Sequence, residues 1–398
     1  MTNKPPFAGE GARRVRLGDV CKLSKVRNRD GLCTDVYSVT NSQGFIPSVD
    51  YFNKEVFSNE LRSYRVVERG MLAYNPSRIN VGSIALQNKA DCVVVSPLYV
   101  VFSVDERRVL PEYLLSFLKC GAGLSQISAN SIGTVRNNLK FEGLCNITIV
   151  LPSLEAQRRR VLLMREIDRL VRGARSQLSL LDGLVKSRFV EMFGDPSDNS
   201  RNYQVVSIGE ILSVQPSNGL YKPQKDYVTD GSGVPIIRID SFNEEGPNYS
   251  ALKRLSCTQK ETEKYGLRDG DIVVNRVNSI GCMGKTMLID HLPEVVVFES
   301  NMMRMHVEES TMFPRFLRHQ MTSDYAKHYF ESHAKKAIGQ ASINQADVKG
   351  LKVLVPPYVD QKSFLDFAAE VDKSRVVVQM QIEKLQTLYD SLAQEYFG

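Results

Sequence analysis

The sequence predicts a mixed α/β protein in which one unit, a globular domain followed by a long helix, occurs twice. Three observations lead to this prediction: an internal repeat at an offset of 204 residues, a helical pattern in each copy, and short β-rich runs between them. With 398 residues the chain is also too long for one ordinary domain, because domains usually contain about 100–200 residues.

The repeat is clearest between residues 151–194 and residues 355–398, which align without a gap. Eleven of these 44 positions are identical, among them Gln157/Gln361 and Phe193/Phe397. Three earlier pairs of segments echo each other at looser offsets: LGDV and IGEI, RGMLAYN and DGDIVVN, and PEYLLSFL and PRFLRHQM. Because the elements follow in the same order in both halves, we interpret the chain as a duplication.

The duplication divides the chain into five segments. In chain order these are a flexible N-terminal segment (1–13), a first globular domain (14–152), a central helix (153–195), a second globular domain (196–356) and a C-terminal helix (357–398).

Each helix has a stripe of apolar residues at three- and four-residue steps, as in a helix with one buried face. In the first helix the stripe contains Val161, Met164, Ile167, Leu170, Val171, Leu178, Leu181, Leu184 and Val185. Ser153 is placed to cap the start of this helix, and Gly194 followed by Pro196 ends it. About 40 residues at 1.5 Å each give a rod of ~55–60 Å, which needs a partner to cover its stripe.

The second long helix is the expected partner. Residues 154–194 contain nine Lys or Arg and five Asp or Glu, whereas residues 359–398 contain four and seven. Opposite net charges favour their association. If the chain runs out along one helix and returns along the other, they pair as an antiparallel coiled coil.

The globular domains contain β-rich runs broken by Gly, Pro and Asn. One example is EVVVFES from Glu294. The run CVVVSPLYVVFSV from Cys92 is continuously apolar, which suits a buried strand or a buried hairpin.

Composition excludes several classes of protein. No apolar run approaches the ~18–20 residues needed to span a bilayer, and the N-terminal stretch lacks the apolar core of a secretory signal. The seven cysteines form no C-x-x-C pair, so we expect reduced thiols, no zinc site and a cytoplasmic protein. The net charge of +6 permits a polyanionic partner without requiring one.

The motifs resemble those of one family. The run QRRR from Gln157 and the helix IDRLVRGARSQLSLLDGLVKSRFVEMFGDP resemble the central region of Type I restriction–modification specificity subunits. SRFVEMFGDP, residues 187–196, is the most specific piece, and NPSRINVGSIALQ, residues 75–87, resembles a loop of that family's target-recognition domains. The second helix departs from the pattern, because YVDQKSFLDFAAEVDK lacks the basic run after its Gln.

The resemblance implies a sequence-specific DNA-binding subunit without a catalytic site. Each target-recognition domain would read one half of a bipartite double-stranded DNA site, and the paired helices would set the spacer and dock two methyltransferase subunits. Two ATP-dependent restriction subunits would join where the complex also cleaves. The chain itself would bind no cofactor and no membrane, with S-adenosylmethionine, ATP and Mg²⁺ on the partners.

Two other functions are alternatives to a non-catalytic DNA-binding subunit. A DNA methyltransferase or fused restriction–methylation enzyme needs a cofactor loop and an N-P-P-aromatic motif, but residues 75–78 read NPSR. GCMGKT, residues 281–286, lacks the first glycine of a phosphate-binding loop and is expected to be a turn. The five histidines show no H-E-x-x-H spacing, so no metal site is predicted. A coiled-coil protein without a nucleic-acid partner is the remaining alternative.

Candidate DNA contacts are loop residues whose side chains bind phosphates or base edges. In the first domain they are Arg78, Asn80, Asn130, Arg136, Asn138 and Lys140. In the second they are Lys222, Lys225, Arg276, Asn278, Lys285, Lys335, Lys336, Gln340 and Asn344.

Overall fold

The computed structural model describes residues 12–41, 43–51, 61–131, 138–242, 246–337 and 339–398. They form two compact units. Unit 1 comprises residues 1–177 and 378–398, and unit 2 comprises residues 178–377. Each unit therefore contains one globular domain, the first part of the long helix that follows it, and the last part of the other long helix.

The first half of the chain is a mixed α/β domain followed by a helix of 40 residues. Its elements are β1 (Arg13–Arg16), β2 (Cys21–Ser24), β3 (Tyr37–Thr40), β4 (Gly44–Pro47), α1 (Ser48–Tyr51), β5 (Arg65–Glu68), β6 (Leu72–Tyr74), β7 (Ile84–Leu86), β8 (Cys92–Val95), β9 (Val100–Val104), α2 (Pro111–Lys119), α3 (Gly121–Asn130), α4 (Phe141–Asn146), β10 (Thr148–Leu151) and α5 (Leu154–Phe193).

The second half has the same plan. Its elements are β11 (Gln204–Ser207), β12 (Leu212–Asn218), β13 (Tyr227–Val228), β14 (Val234–Ile237), β15 (Lys253–Leu255), α6 (Gln259–Tyr265), β16 (Ile272–Asn275), β17 (Val277–Asn278), β18 (Thr286–Leu288), β19 (Val297–Phe298), β20 (Met302–Val307), α7 (Pro314–Met321), α8 (Asp324–His333), β21 (Lys335–Ala337), β22 (Gln340–Ser342), α9 (Gln345–Gly350), β23 (Lys352–Val355) and α10 (Tyr358–Phe397), again 40 residues long.

The central sheets of the two units have the same topology. The strand order is β2-β9-β6-β7 in unit 1 and β12-β20-β16-β18 in unit 2, with antiparallel neighbours throughout. A two-stranded sheet closes each domain, β1 with β10 and β11 with β23. The amide of Leu17 donates to the Ile147 carbonyl over 2.8 Å, and Ile208 donates to Leu351 over 2.9 Å at the equivalent place. The predicted duplication is confirmed down to single hydrogen bonds.

The core of unit 1 is completed by the distant end of α10. Val161 and Met164 of α5 share one buried cluster with Phe397 of α10, whose ring lies 5.1 Å from that of Tyr113 in α2. The Arg160 guanidinium lies 4.6 Å from the Tyr396 ring. Further along α5, burial and then the charge of Asp168 raise the pKa of Tyr389, which lies earlier in α10. The two helix segments are therefore antiparallel.

Unit 2 is completed in the same way by the end of α5. The Phe193 ring is fully buried and lies 5.1 Å from that of Phe316 in α7 and 5.8 Å from that of Phe364 in α10. Earlier in α5, Asp182 forms an ion pair with Arg375, which lies further along α10 than Phe364. Within each unit the predicted antiparallel pairing of the helices is confirmed.

Gln157 and Gln361, which are identical in the aligned repeat, are buried and have the same structural role. Gln157 is fully buried, donates from Nε2 to the carbonyls of Arg108 (2.9 Å) and Pro152 (3.0 Å), and accepts from the Leu110 amide (2.9 Å). Gln361 makes the same three bonds, to Thr311, Pro356 and Phe313. Each side chain satisfies backbone groups that the loop before α2 or α7 would otherwise bury unpaired.

The predicted ends of α5 are confirmed, whereas its stripe needs correction. The Ser153 hydroxyl accepts from the Ala156 amide over 3.3 Å, and Gly194 ends the helix with a φ of 80°. Leu170 and Leu184, predicted to belong to the buried stripe, are exposed. The buried residues Met164, Val171 and Val185 lie at multiples of seven residues and so share one face of α5, whereas Leu170 and Leu184 lie at the border of that face.

Two further expectations are corrected. The run from Cys92 forms two strands, as predicted for a buried segment, but they do not form a hairpin, because β8 pairs with β5 while β9 pairs with β2 and β6. Cys33 and Cys92 form a disulfide, so the expectation that all seven cysteines are free thiols is wrong for this pair.

Over the described stretches of chain, no helix combines the length and apolar character needed to cross a membrane.

Candidate nucleic-acid interface

The sheet topology places several predicted contact loops at one end of each central sheet. In unit 1, β2 and β6 both pair antiparallel with β9, so they run in the same direction. The loops that follow them, residues 25–32 and 75–82, therefore leave the sheet at the same end. In unit 2 the same holds for β12 and β16, followed by residues 219–223 and 276–281. We call this end of each sheet the loop end.

In unit 1 the loop after β6 is held by its own polar groups. Asn75 Oδ1 accepts from the Ser77 amide (3.1 Å) and the Ser77 hydroxyl (2.9 Å), and Ile79 is buried beneath the loop. Arg78 and Asn80, on either side of Ile79, are exposed. Their side chains are thus presented to solvent by a fixed turn.

A second predicted segment joins this loop. The Leu139 amide donates to the Pro76 carbonyl over 3.1 Å, and the Leu139 side chain is fully buried. Its neighbours Asn138 and Lys140 are exposed. The structure therefore brings Arg78, Asn80, Asn138 and Lys140 to one surface.

The other two predicted contacts of unit 1 stand apart. Asn130 is half-buried at the end of α3, where its amide donates to the Gln126 carbonyl over 2.9 Å. Arg136 lies outside the described residues.

Unit 2 repeats the junction with an added hairpin. The Ile343 amide donates to the Arg276 carbonyl over 2.9 Å, at the position of the repeat equivalent to Leu139 and Pro76. Strand β17, containing Asn278, pairs with β22, which pairs with β21. The hairpin exposes three predicted contacts, which are Lys335, Lys336 and Gln340.

Three predicted contacts of unit 2 hold the fold around them. Asn344 caps α9, accepting from the amides of Ala346 (2.7 Å) and Asp347 (3.1 Å). Arg276 is half-buried and donates to the Ser300 carbonyl over 3.1 Å. The Lys222 ammonium lies 2.8 Å from a Glu261 carboxylate oxygen.

Lys222 and Glu261 form an ion pair within unit 2. The hydrogen bond from Lys222 is the main reason that the pKa of Glu261 is lowered to about 2, and the same hydrogen bond raises the pKa of Lys222. A carboxylate oxygen of Asp226 lies 3.9 Å from the same ammonium group. The net positive charge that Lys222 offers a partner is therefore small.

Lys225 and Lys285 are exposed. Lys285 belongs to the predicted turn of residues 281–286. In that turn Gly284 has a φ of 71°, and the Phe330 ring lies too close to its α-carbon to leave room for a side chain. The amides of Cys282, Met283 and Gly284 donate to nearby carbonyls. The turn is confirmed, but those amides are not free to bind phosphate.

Two features of the loop ends were not among the predicted contacts: the loop after β2 in unit 1, and Tyr221 in unit 2. Tyr221 is 79% exposed next to Leu220, which is buried and held by backbone bonds to Phe298 and Ser300. The missing signal was the common direction of the first and third strands of the sheet, which places these loops beside those already predicted.

Comparison with known proteins shows similarity to Type I specificity subunits. Residues 200–385 match the model of the Type I restriction modification DNA specificity domain. This match covers 186 of the 398 residues, so the similarity to that domain concerns a little under half of the chain. It is 24% identical over 304 residues to the Type I restriction enzyme StySPI specificity subunit of Salmonella potsdam, over 73% of this chain and 64% of that protein. It is 23% identical over 292 residues to the EcoKI specificity subunit of Escherichia coli (strain K12), over 68% and 59%.

The matches thus span less than two thirds of these specificity subunits. Among solved structures, the S subunit of a Type I restriction-modification system from M. genitalium matches with a TM-score of 0.55 at 12% identity, covering 100% of this chain and 98% of that one. This likeness concerns the fold, and it confirms the mixed α/β architecture predicted from the repeat.

Proposed function

We propose that this chain is the DNA-recognition subunit of a Type I restriction–modification complex, and that each unit reads one half of a bipartite site. The observation that carries the proposal is the equivalent junction in the two units, Leu139 with Pro76 and Ile343 with Arg276. Each junction fixes a surface of polar and basic side chains at the loop end. Two equivalent surfaces on one chain suit two half-sites.

The chemistry of these surfaces suits duplex DNA. Arg78, Asn80 and Asn138 in unit 1 and Gln340 in unit 2 are exposed side chains of the types that bond to base edges in the major groove. Lys140, Lys335 and Lys336 supply charge for phosphates, which positions a protein without reading sequence.

We propose that methyl transfer and ATP hydrolysis belong to partner subunits, which hold S-adenosylmethionine, ATP and Mg²⁺. Two motifs that resemble catalytic ones have structural roles here. Asn75 Oδ1 is bonded to Ser77, and the amides of residues 282–284 are used within their turn. Neither group is available for a substrate or a nucleotide.

The long helices offer two equivalent docking points for two methyltransferase subunits. Leu184 and Leu388 are identical in the repeat, yet they are 48% and 47% exposed. An apolar residue retained in both copies without contributing to either core suits a partner interface. The proposal includes a role of the helices in setting the spacer between half-sites.

The first experiment maps methylated adenines in cells that express the chain with its methylating partner. Arg78→Gln with Asn80→Ala should relax one half of the motif and leave the other half unchanged, since each base contact contributes ~1–3 kcal/mol to discrimination. Lys89→Gln, an exposed change at the opposite end of the same sheet, is the control. A motif unchanged by the double variant would refute these residues as readers.

A second experiment tests the spacer. Insertion of one helical turn, about four residues, after both Gln177 and Gln381 should lengthen the spacer while preserving both half-sites. If the altered complex methylates the original motif with its original spacer, the helices do not set the distance.

A further inference from the structure

We infer that the loop of residues 25–29 in unit 1 grips the phosphate backbone of duplex DNA through Lys25, Arg27 and Arg29. The inference rests on the proposed function and adds a contact that the sequence analysis did not include. It assigns this loop to affinity and leaves the choice of bases to residues 75–82 and 138–140.

The position of the loop follows from the sheet. Ser24, the last residue of β2, pairs with Val101 of β9, and Tyr74, the last residue of β6, pairs with the adjacent Val100. Residues 25–29 therefore leave the loop end beside the turn that presents Arg78 and Asn80. A duplex that met those readers would have its backbone within reach of a neighbouring loop.

The loop carries uncompensated positive charge. Lys25, Arg27 and Arg29 are all exposed, and no ion pair joins them to another residue in the described part of the chain. The backbone of Arg27 forms an antiparallel β-bridge with that of Arg65. The Arg65 guanidinium donates to the Pro97 carbonyl over 3.0 Å. Burial, and then the charge of Arg27, lower the pKa of Arg65. A group of cations without carboxylate partners is the pattern that binds phosphates.

The loop is held in place before any ligand arrives. Asn28, between the two arginines, is 1% exposed; its amide nitrogen donates to the Cys33 carbonyl over 2.6 Å and its oxygen accepts from the Cys33 amide over 3.1 Å. The Asn28 backbone amide donates to the Tyr64 carbonyl over 3.0 Å. Because the disulfide ties Cys33 to β8, little backbone entropy remains to be lost on binding.

The equivalent loop of unit 2 is built differently. Its lysine, Lys222, is paired with Glu261, and the neighbouring Tyr221, which is 79% exposed, is uncharged. The two equivalent loops therefore contribute unequally, and the loop of unit 1 supplies more salt-dependent affinity than its counterpart in unit 2.

The test uses the full chain and a duplex of arbitrary sequence, with binding followed by fluorescence anisotropy as salt is raised. The variant Lys25→Gln, Arg27→Gln, Arg29→Gln should lower the slope of log affinity against log salt by ~0.9 for each phosphate that it no longer neutralises. For three phosphates, the wild type should lose about 40-fold more affinity than the variant between about 50 and 200 mM salt. In cells, the methylated motif should be unchanged.

The matched control is Arg69→Gln, Lys89→Gln, Arg107→Gln, which removes the same residue types at the opposite end of the same sheet. It should leave the salt slope as in the wild type. If the loop variant keeps the wild-type slope, or if the control lowers the slope equally, the inference is overturned while the proposed function stands. If the wild type shows no salt-dependent binding to duplex DNA, the proposed function fails as well.

Discussion

We expect Gln157→Leu to destabilise unit 1 strongly, although the change is nearly isosteric and more apolar. The leucine would leave the Leu110 amide and the carbonyls of Arg108 and Pro152 without the partner they have at 2.9–3.0 Å. Each buried unsatisfied group costs ~1–3 kcal/mol, partly offset by the added apolar surface, so we expect a net loss of about 2–4 kcal/mol. For a unit of this size the melting temperature should fall by about 5–12 °C.

Scanning calorimetry measures this loss, and hydrogen exchange of the Leu110 amide localises it, because that amide loses its acceptor. Gln177→Leu is the control: Gln177 is also identical in the repeat, but it is exposed, so its change should stay within about 0.5 kcal/mol. Equal melting temperatures for the two variants would contradict the structural role given to Gln157.

Three further predictions address the long helices and the core of unit 2. Phe397→Ala should destabilise unit 1 by about 3–5 kcal/mol and speed hydrogen exchange in α2, since its ring fills that core; unchanged exchange in α2 would argue against it. Burial, and then nearby arginine charges, lower the pKa of His319 from 6.5 to about 3, so the neutral imidazole stabilises the fold above pH 6.5 and this stability is lost as pH falls towards 3. When the free energy of unfolding is measured in urea at several pH values, His319→Phe should therefore lose less stability than the wild type as the pH falls from 6.5 to 3. Parallel plots of stability against pH for the two proteins would refute the assignment. Leu184→Asp and Leu388→Asp should each weaken one of the two proposed methyltransferase contacts by about 10- to 100-fold, so native mass spectrometry should show one bound partner for each single variant and none for the double. Two partners retained by the double variant would place docking elsewhere.

Most of the fold can be predicted from the sequence, because the short motifs that mark helices and strands occur twice and in the same order. Gln157 and Gln361 stand out as an identity in a gapless alignment, and the structure supplies the reason, since each bonds the same three backbone groups. Ser153 and Gly194 act through neighbours a few residues away, so the ends of α5 could be predicted from local sequence.

What the sequence did not predict depends on residues far apart in the chain. Cys33 meets Cys92 across 59 residues, and Lys222 meets Glu261 across three strands and the start of a helix. Neither partner follows from spacing, because strand pairing brings them together. The site residues were predicted by type and loop position, and the side-chain bonds of Asn344 and Arg276 show that a suitable residue type also serves to cap a helix or brace a loop.

The central claim is that each unit reads its own half of the site, and one measurement tests it most directly. Residues 15–152 are replaced with the matching domain of a relative that has a different methylated motif, and methylated adenines are mapped in cells carrying the hybrid and its methylating partner. The repeat of one surface in two compact units predicts a hybrid motif in which one half changes and the other half is retained. A motif in which both halves change, in a complex that still methylates, would contradict independent reading by the two units.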